Sequence, residues 1–343
     1  MTAYFLLKKS ILLKQYETVK QLCDTVSFSF KTNPIAGDIL EKETDSEFSV
    51  HSLAEAKKIK DSKRVWLFGQ GWSKAEVSEA LQHGINKFVV DNETDLTMLL
   101  DAIESKDAKV SVLLRMRRQE HSLHTGKYFI YGMFSETVAK CVNVLSANKK
   151  IEHIGIHFHR KTQNISEWSL ITELQDAIPQ EILGHISIIN IGGGIPVQYK
   201  NYPTEHVNTI FSEIKKCKEF LNSKKIKLII EPGRFIAAPA VELHTTIKSA
   251  YSDVLIVDCS IFNAYLDTFI ADIRLLVEGE CDASEGKAFL IKGCTPDSRD
   301  IFRYRVYLKN PKVGSEIVFL NAGAYAFHTD FCELPRVETV IQD

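Results

Sequence analysis

The chain has 343 residues, 45% hydrophobic and 25% charged, with a formal net charge of −2; that length can bury a large core in one domain or two intimate ones. The near-neutral balance gives no electrostatic ground for binding nucleic acid or an anionic membrane. The seven scattered cysteines, odd in number and without a Cys-x-x-Cys pair, argue against a zinc site or a disulfide framework.

No signal peptide and no apolar run of membrane-spanning length are visible, so a reducing cytoplasm is the expected location. The Lys-rich stretches at 215–218 and 224–227 read as solvated helix ends and loops. A first extended segment, Ala3 to Leu7, is followed by short apolar or β-branched runs: Val26 to Phe30, Glu47 to Val50, Arg64 to Phe68 and Lys87 to Val90. Val110 to Leu114, Ile151 to Phe158, Ile186 to Ile191 and Lys227 to Ile230 continue the series. Segments with helical spacing lie between most of them, such as Ser52 to Ile59 and Ser73 to His83, with Ser52 and Ser73 as N-caps and Gly84 as a C-cap. Strands alternating with helices favour an α/β fold with a closed parallel (β/α)8 barrel, and an open doubly wound sheet is the alternative. Beyond about residue 240 the runs Val241 to Lys248, Val254 to Val257, Ala288 to Lys292, Phe302 to Leu308 and Glu316 to Leu320 succeed one another mostly without helices. The expected division is therefore a barrel over 10–238 and a β domain from 1–9 and 239–343.

In a parallel barrel, reactive groups gather at the C-terminal ends of strands. Those ends supply Lys31-Thr32-Asn33-Pro34, Arg115, His157-Phe158-His159, Asn190-Ile191-Gly192-Gly193-Gly194 and Glu231-Pro232-Gly233-Arg234. Gly192, Gly193 and Gly194 put backbone N–H groups where no Cβ blocks a ligand, which makes either an anion nest or a plain tight turn. A lysine, a histidine, an anion nest and a Glu/Arg pair on one rim suit a phosphate-bearing cofactor with an electrophilic carbonyl.

On these residues, with Gly155 to His159, Gly293 to Asp300 and Gly323-Ala324-Tyr325, the chain resembles the fold-type III pyridoxal-phosphate decarboxylases. This is the ornithine/diaminopimelate/arginine decarboxylase family, with its alanine-racemase-like barrel. The resemblance implies pyridoxal 5'-phosphate as cofactor, no metal, α-decarboxylation of an amino acid or amino-acid conjugate, and a homodimer with shared active sites. It makes Lys31 the lysine that carries the cofactor, His159 the residue stacked on its ring, and Glu231 the partner of the ring nitrogen. Arg115, Thr162, the three glycines, Gly233, Arg234 and Tyr325 complete the implied cofactor site. Asp297 and Asp267 match acidic residues that contact the substrate's distal group. In the 293–300 loop Pro296 stands where the family has its cysteine, and Cys294 is the candidate for that cysteine's part in protonating the product.

Several positions depart from the family. Arg160 and Lys161 follow His159 where small uncharged residues are usual, Ser49 stands where many relatives carry aspartate, and Ile130 replaces a lysine. Arg160 and Lys161 on the rim, with Arg299 from the partner's loop, would favour a substrate with an anionic distal part and hence specialised biosynthesis. Two competing readings remain: a racemase of the same fold, which would set an arginine rather than Glu231 against the ring nitrogen, and a catalytically inactive decarboxylase-like regulator.

Overall fold

The computed structural model describes residues 2–106, 108–117, 131–166, 168–326 and 328–343. Strand β1 (Tyr4–Lys8) opens the chain, and helix Lys9–Lys20 follows it. Then come β2 (Thr25–Ser29), β3 (Glu47–Val50), β4 (Val65–Gly69), β5 (Lys87–Val90), β6 (Val110–Arg115), β7 (Ile151–His157), β8 (Ile188–Asn190) and β9 (Lys227–Ile230). These eight strands form a closed barrel in sequence order. Every pairing is parallel, and the Thr25↔Ile229 and Val26↔Ile230 register between β2 and β9 closes the ring. Closure excludes the open-sheet alternative.

The barrel interior is a packed core. Trp66, Val89, Leu113, Ile188 and Ile229 form one buried cluster with Phe68 against it, as interior layers of a small barrel require. Gly155 is small for a steric reason: a Cβ there would meet the Leu113 side chain at 2.5 Å. Local signals set the helices. Ser73 and Glu76 make a reciprocal capping box at the start of helix Lys74–Gln82, and Gly84 beyond its end takes φ +85°. The helix expected from Ser52 to Ile59 shortens to Leu53–Ala56, because Lys58 and Ile59 donate to carbonyls three residues back and tighten the chain out of the α pattern.

The remaining strands are β10 (Val241–Tyr251), β11 (Val254–Val257), β12 (Leu276–Val277), β13 (Lys287–Lys292), β14 (Ile301–Leu308), β15 (Glu316–Leu320) and β16 (Glu338–Gln342). They form a mixed sheet in the order β12-β15-β10-β11-β13-β14, with β1 antiparallel to β10 and parallel to β16. In β10 the residues Val241, Leu243, Thr245 and Ile247 are buried in alternation, the period-two signature of one covered face. β12 and β16 escape sequence reading because one has only two residues and the other is mostly exposed.

The chain divides into two compact units. One holds Glu17–Ile195 and His206–Pro232; the other holds Met1–Tyr16, Pro196–Glu205 and Gly233–Asp343. The β-rich unit therefore takes a larger N-terminal share than residues 1–9 and also claims residues 196–205. Within it Lys200 N–H donates to Arg274 O at 2.8 Å and Asn201 accepts from Arg274 N–H at 3.0 Å. None of the described helices is long and apolar enough to cross a membrane.

Candidate active site

Lys31 sits in a single 3-10 turn, Phe30–Thr32, between β2 and helix Pro34–Glu43. Asn33 caps that helix by accepting the Ala36 N–H at 3.0 Å. Pro34 occupies the first helical position, where a missing N–H costs nothing. Phe30 is buried over Gly37, where a Cβ would lie 2.6 Å from the ring, so the turn is anchored and Lys31 projects outward. Its Nζ lies 3.3 Å from His51 Nε2. His51 follows β3 directly; its N–H donates to Glu55 Oε2 at 2.7 Å, and Ser52 Oγ accepts the Glu55 N–H at 3.1 Å.

Glu231, just past β9, is the electrostatic centre of the barrel rim. Ser49 Oγ donates to its Oε1 at 2.7 Å and Asn190 Nδ2 to the same oxygen at 2.9 Å, while His157 Nε2 lies 3.1 Å from Oε2. Register brings these groups together, since His157 pairs with Asn190 across β7 and β8. Burial opposes the negative charge, but His157 and Ser49 outweigh it and hold the carboxyl well below the usual carboxylate range.

The glycine turn hangs on the same network. Asn190 Oδ1 accepts the Gly192 N–H at 2.8 Å, and Gly192 O accepts the Glu231 N–H at 2.9 Å. Gly192 and Gly194 take φ of +70° and +99°, and a Cβ on either would come within 2.8 Å of His159 Cα or Lys161 O. Only glycine fits. Among the described residues no acceptor is recorded for the Gly193 and Gly194 N–H groups.

His159 is solvent-accessible at the mouth, although enclosure by the rim and then the Arg115 charge push its imidazole down to about 3. Arg115 is buried between the Phe68 and Tyr131 rings and lies 3.7 Å from Asp91. Thr162 is exposed in the loop after His159, and Lys161 is half-buried there. Ile130 lies outside the described residues.

Arg160 corrects an expectation. It is only 2% exposed, donates to Ile191 O at 3.1 Å and to Glu173 Oε2 at 2.7 Å, and stacks over Trp168. A guanidinium so engaged braces the glycine turn from behind and does not offer its charge to a substrate at the rim.

The other expected residues belong to the β-rich unit. Arg234, 5% exposed, donates to Asp267 Oδ2 at 2.6 Å and to the Tyr199 hydroxyl at 3.2 Å, with its guanidinium 4.9 Å from the centre of the Tyr325 ring. Asp267 is 4% exposed. It is thus neither an exposed loop carboxylate nor a group reaching for a substrate amine, because Arg234 occupies it. Tyr325 adopts φ +55° two residues after Gly323, where any side chain would run into the Ala237 carbonyl. Gly233 caps the short helix Arg234–Ala237.

The 293–300 loop is built on buried Asp300, whose oxygens accept from Ile261 N–H, Thr295 N–H and Thr295 Oγ. Asp297 accepts the Arg299 N–H at 2.7 Å, which lowers its pKa, and Arg299 lies over Phe269. Cys294 is exposed, yet partial burial of the thiol and then Asp300 raise its pKa.

Sequence reading missed Ser49, His51, Asn190 and Asp91 as site residues and gave His157 no role. All lie within the last two residues of a strand or just past its end, so the strand-end rule reaches their positions but not which of them face Glu231 or Lys31.

The donor set fits pyridoxal phosphate: an accessible lysine, an ionised carboxylate for a protonated ring nitrogen, and amides for a phosphate that no side chain can obstruct. Comparison with known proteins agrees. The family model for the pyridoxal-dependent decarboxylases, pyridoxal binding domain, matches residues 36–238. Diaminopimelate decarboxylase of Bacillus methanolicus is 24% identical over 201 residues, 52% of this chain and 45% of that enzyme, so the match spans about half of that relative. A decarboxylase of Staphylococcus aureus named for 2-[(L-alanin-3-ylcarbamoyl)methyl]-2-hydroxybutanedioate is 24% identical over 326 residues, 85% of this chain and 81% of that one. The crystal structure of Helicobacter pylori diaminopimelate decarboxylase complexed with L-lysine shares the fold, with a TM-score of 0.85 at 19% identity, covering 100% of this chain and 92% of that one. The chain belongs to the pyridoxal-dependent decarboxylase family, whose pyridoxal binding domain it carries in its barrel.

Proposed function

We propose that the protein is a pyridoxal-phosphate-dependent α-decarboxylase acting on an amino-acid conjugate with an anionic distal part, in a specialised biosynthetic route. The observation that carries the reaction type is the ionised, triply supported Glu231 on the same rim as Lys31. When bound, pyridoxal phosphate supplies an electron sink for the pair left behind by carbon dioxide. Lys31 would be the residue whose Nζ holds the cofactor. Glu231, fixed by Ser49, Asn190 and His157, would keep a proton on its ring nitrogen. The Gly193 and Gly194 amides would hold its phosphate, with Arg160 bracing their turn. A glutamate in this position favours decarboxylation over racemisation, and a regulator without catalysis has no need of a depressed carboxyl beside an accessible lysine.

The substrate class is supported by the S. aureus relative, which aligns over most of both chains and whose name describes a citrate-like conjugate of an amino acid. Arg160, held by Ile191 and Glu173, does not support that substrate class. The family resemblance supports a homodimer whose 293–300 loops complete the partner's sites. Mixing Lys31→Ala with Asp297→Ala chains would then restore part of the activity through hybrid dimers.

The direct test is mass spectrometry of products and carbon dioxide release from the reconstituted protein. The panel should contain ornithine, lysine, diaminopimelate and carboxylate-bearing conjugates of diaminopropionate. Turnover preferring a conjugate is expected. Efficient turnover of ornithine or lysine would discard the substrate class, and no carbon dioxide from any of them would discard the reaction.

A further inference from the structure

Lys31 must lose a proton before its amine can attack a carbonyl, and the described residues offer one acceptor in reach. Glu231 is already taken by Ser49, Asn190 and His157, and among the described residues no carboxylate lies within ion-pair distance of Lys31 Nζ. The group at 3.3 Å is the imidazole Nε2 of His51. We infer that His51 is a further catalytic residue, the base that receives a proton from Lys31 Nζ each time that amine acts as a nucleophile.

Three features support this assignment, which rests on the reading of Lys31 as the reacting amine. First, the ring is held in place: its backbone N–H is clamped by Glu55 and its edge meets the Phe68 ring at 5.4 Å and 71°. Second, Nδ1 is buried without a hydrogen-bond partner. No neighbour pins the tautomer, so the ring can present a lone pair at Nε2 or carry a proton there. His157 differs, since its Nε2 is tied to Glu231. Third, the ring is neutral near pH 7. Burial and then the Lys31 charge, with His157 and Arg115 in the same sense and Glu231 in the opposite one, push it down to about 4. A neutral ring facing an ammonium is an acceptor, and the Lys31 share of the downward push, second to burial, is relieved as the proton leaves Nζ.

The step balances simply. One N–H bond of the Lys31 ammonium breaks, its electron pair stays on Nζ as the nucleophilic lone pair, and an N–H bond forms at Nε2. The positive charge passes to the imidazolium, which returns the proton to water or to the oxygen leaving the carbonyl.

Cofactor-free protein allows a test that does not depend on decarboxylation. Trace acetylation by acetic anhydride, followed lysine by lysine with mass spectrometry, reports the nucleophilicity of Lys31 against the other lysines. His51→Gln retains an acceptor oxygen but cannot hold the extra proton, and Lys31 acetylation is expected to slow about tenfold or more, with the other lysines unchanged. In His51→Gly, added imidazole should restore the rate in proportion to its concentration. Equal rates in wild type and His51→Gln would overturn the inference. A loss that imidazole fails to restore would also overturn it, by reducing His51 to a positioning role. Borohydride trapping of pyridoxal phosphate on wild-type Lys31 is a separate arm. Its failure would remove the decarboxylase reading while the acetylation result still decides His51.

Discussion

Glu231 and Asp267 are both carboxylates withdrawn from bulk water, one at the barrel rim and one in the β-rich unit, yet their surroundings differ in kind. Glu231 is met by a hydroxyl, an amide and a histidine; the charge of His157, then its hydrogen bond and that of Ser49, depress its pKa despite burial. Asp267 has a permanent cation, Arg234, at 2.6 Å, but burial acts against its charge and raises its pKa. At Glu231 a histidine charge backed by hydrogen bonds outweighs burial, whereas at Asp267 the single guanidinium does not. The first arrangement leaves charge available to a ligand. The second uses its charge up in holding the fold.

The comparison can be broken at several points. The largest effect is expected at the rim: Lys31→Ala should abolish both turnover and borohydride-stable retention of pyridoxal phosphate, and retained label in that variant would move the covalent site elsewhere. In the β-rich unit the expected loss is of stability. Asp267→Ala removes the carboxylate from the buried Arg234 guanidinium and should cost about 3–5 kcal/mol in denaturant unfolding, with part recovered in Asp267→Ala/Arg234→Met. A cost near zero would mean that the pair is not structural.

Glu231→Gln keeps the shape and most hydrogen bonds while removing the charge. It should retain cofactor and lose about a hundredfold in kcat; an unchanged kcat would make Glu231 a second Asp267. The smallest effect is on acid stability. His51 and Glu231 have folded pKa values below their ordinary 6.5 and 4.5, so the unfolded chain binds more protons there and stability falls as pH drops. The His51 window runs from 6.5 down to about 4, and discounted for partial exposure it is worth about 1–2 kcal/mol. Thermal melts of His51→Gln should show a shallower decline across that window than wild type.

The barrel was legible because its signals are local. Strand runs of four to six apolar residues, Ser and Asn caps and a glycine turn all act within a few residues, and strands such as Glu47–Val50 and Lys87–Val90 stand where the pattern put them. Lys31, Glu231 and the three glycines could be read from the strand-end rule alone. The partners could not. Whether Ser49 and Asn190 point at Glu231, or His51 at Lys31, depends on the register between strands far apart in sequence, and spacing along the chain carries no such information. Arg160 shows the same limit from the other side. An arginine next to His159 reads as a rim charge until Glu173 and Ile191, brought in by packing, bury it. Sequence by itself determined which groups the chain carries and the strand ends they occupy. Tertiary structure decided which of them face one another, and therefore which charge is open to a ligand and which is spent on the fold.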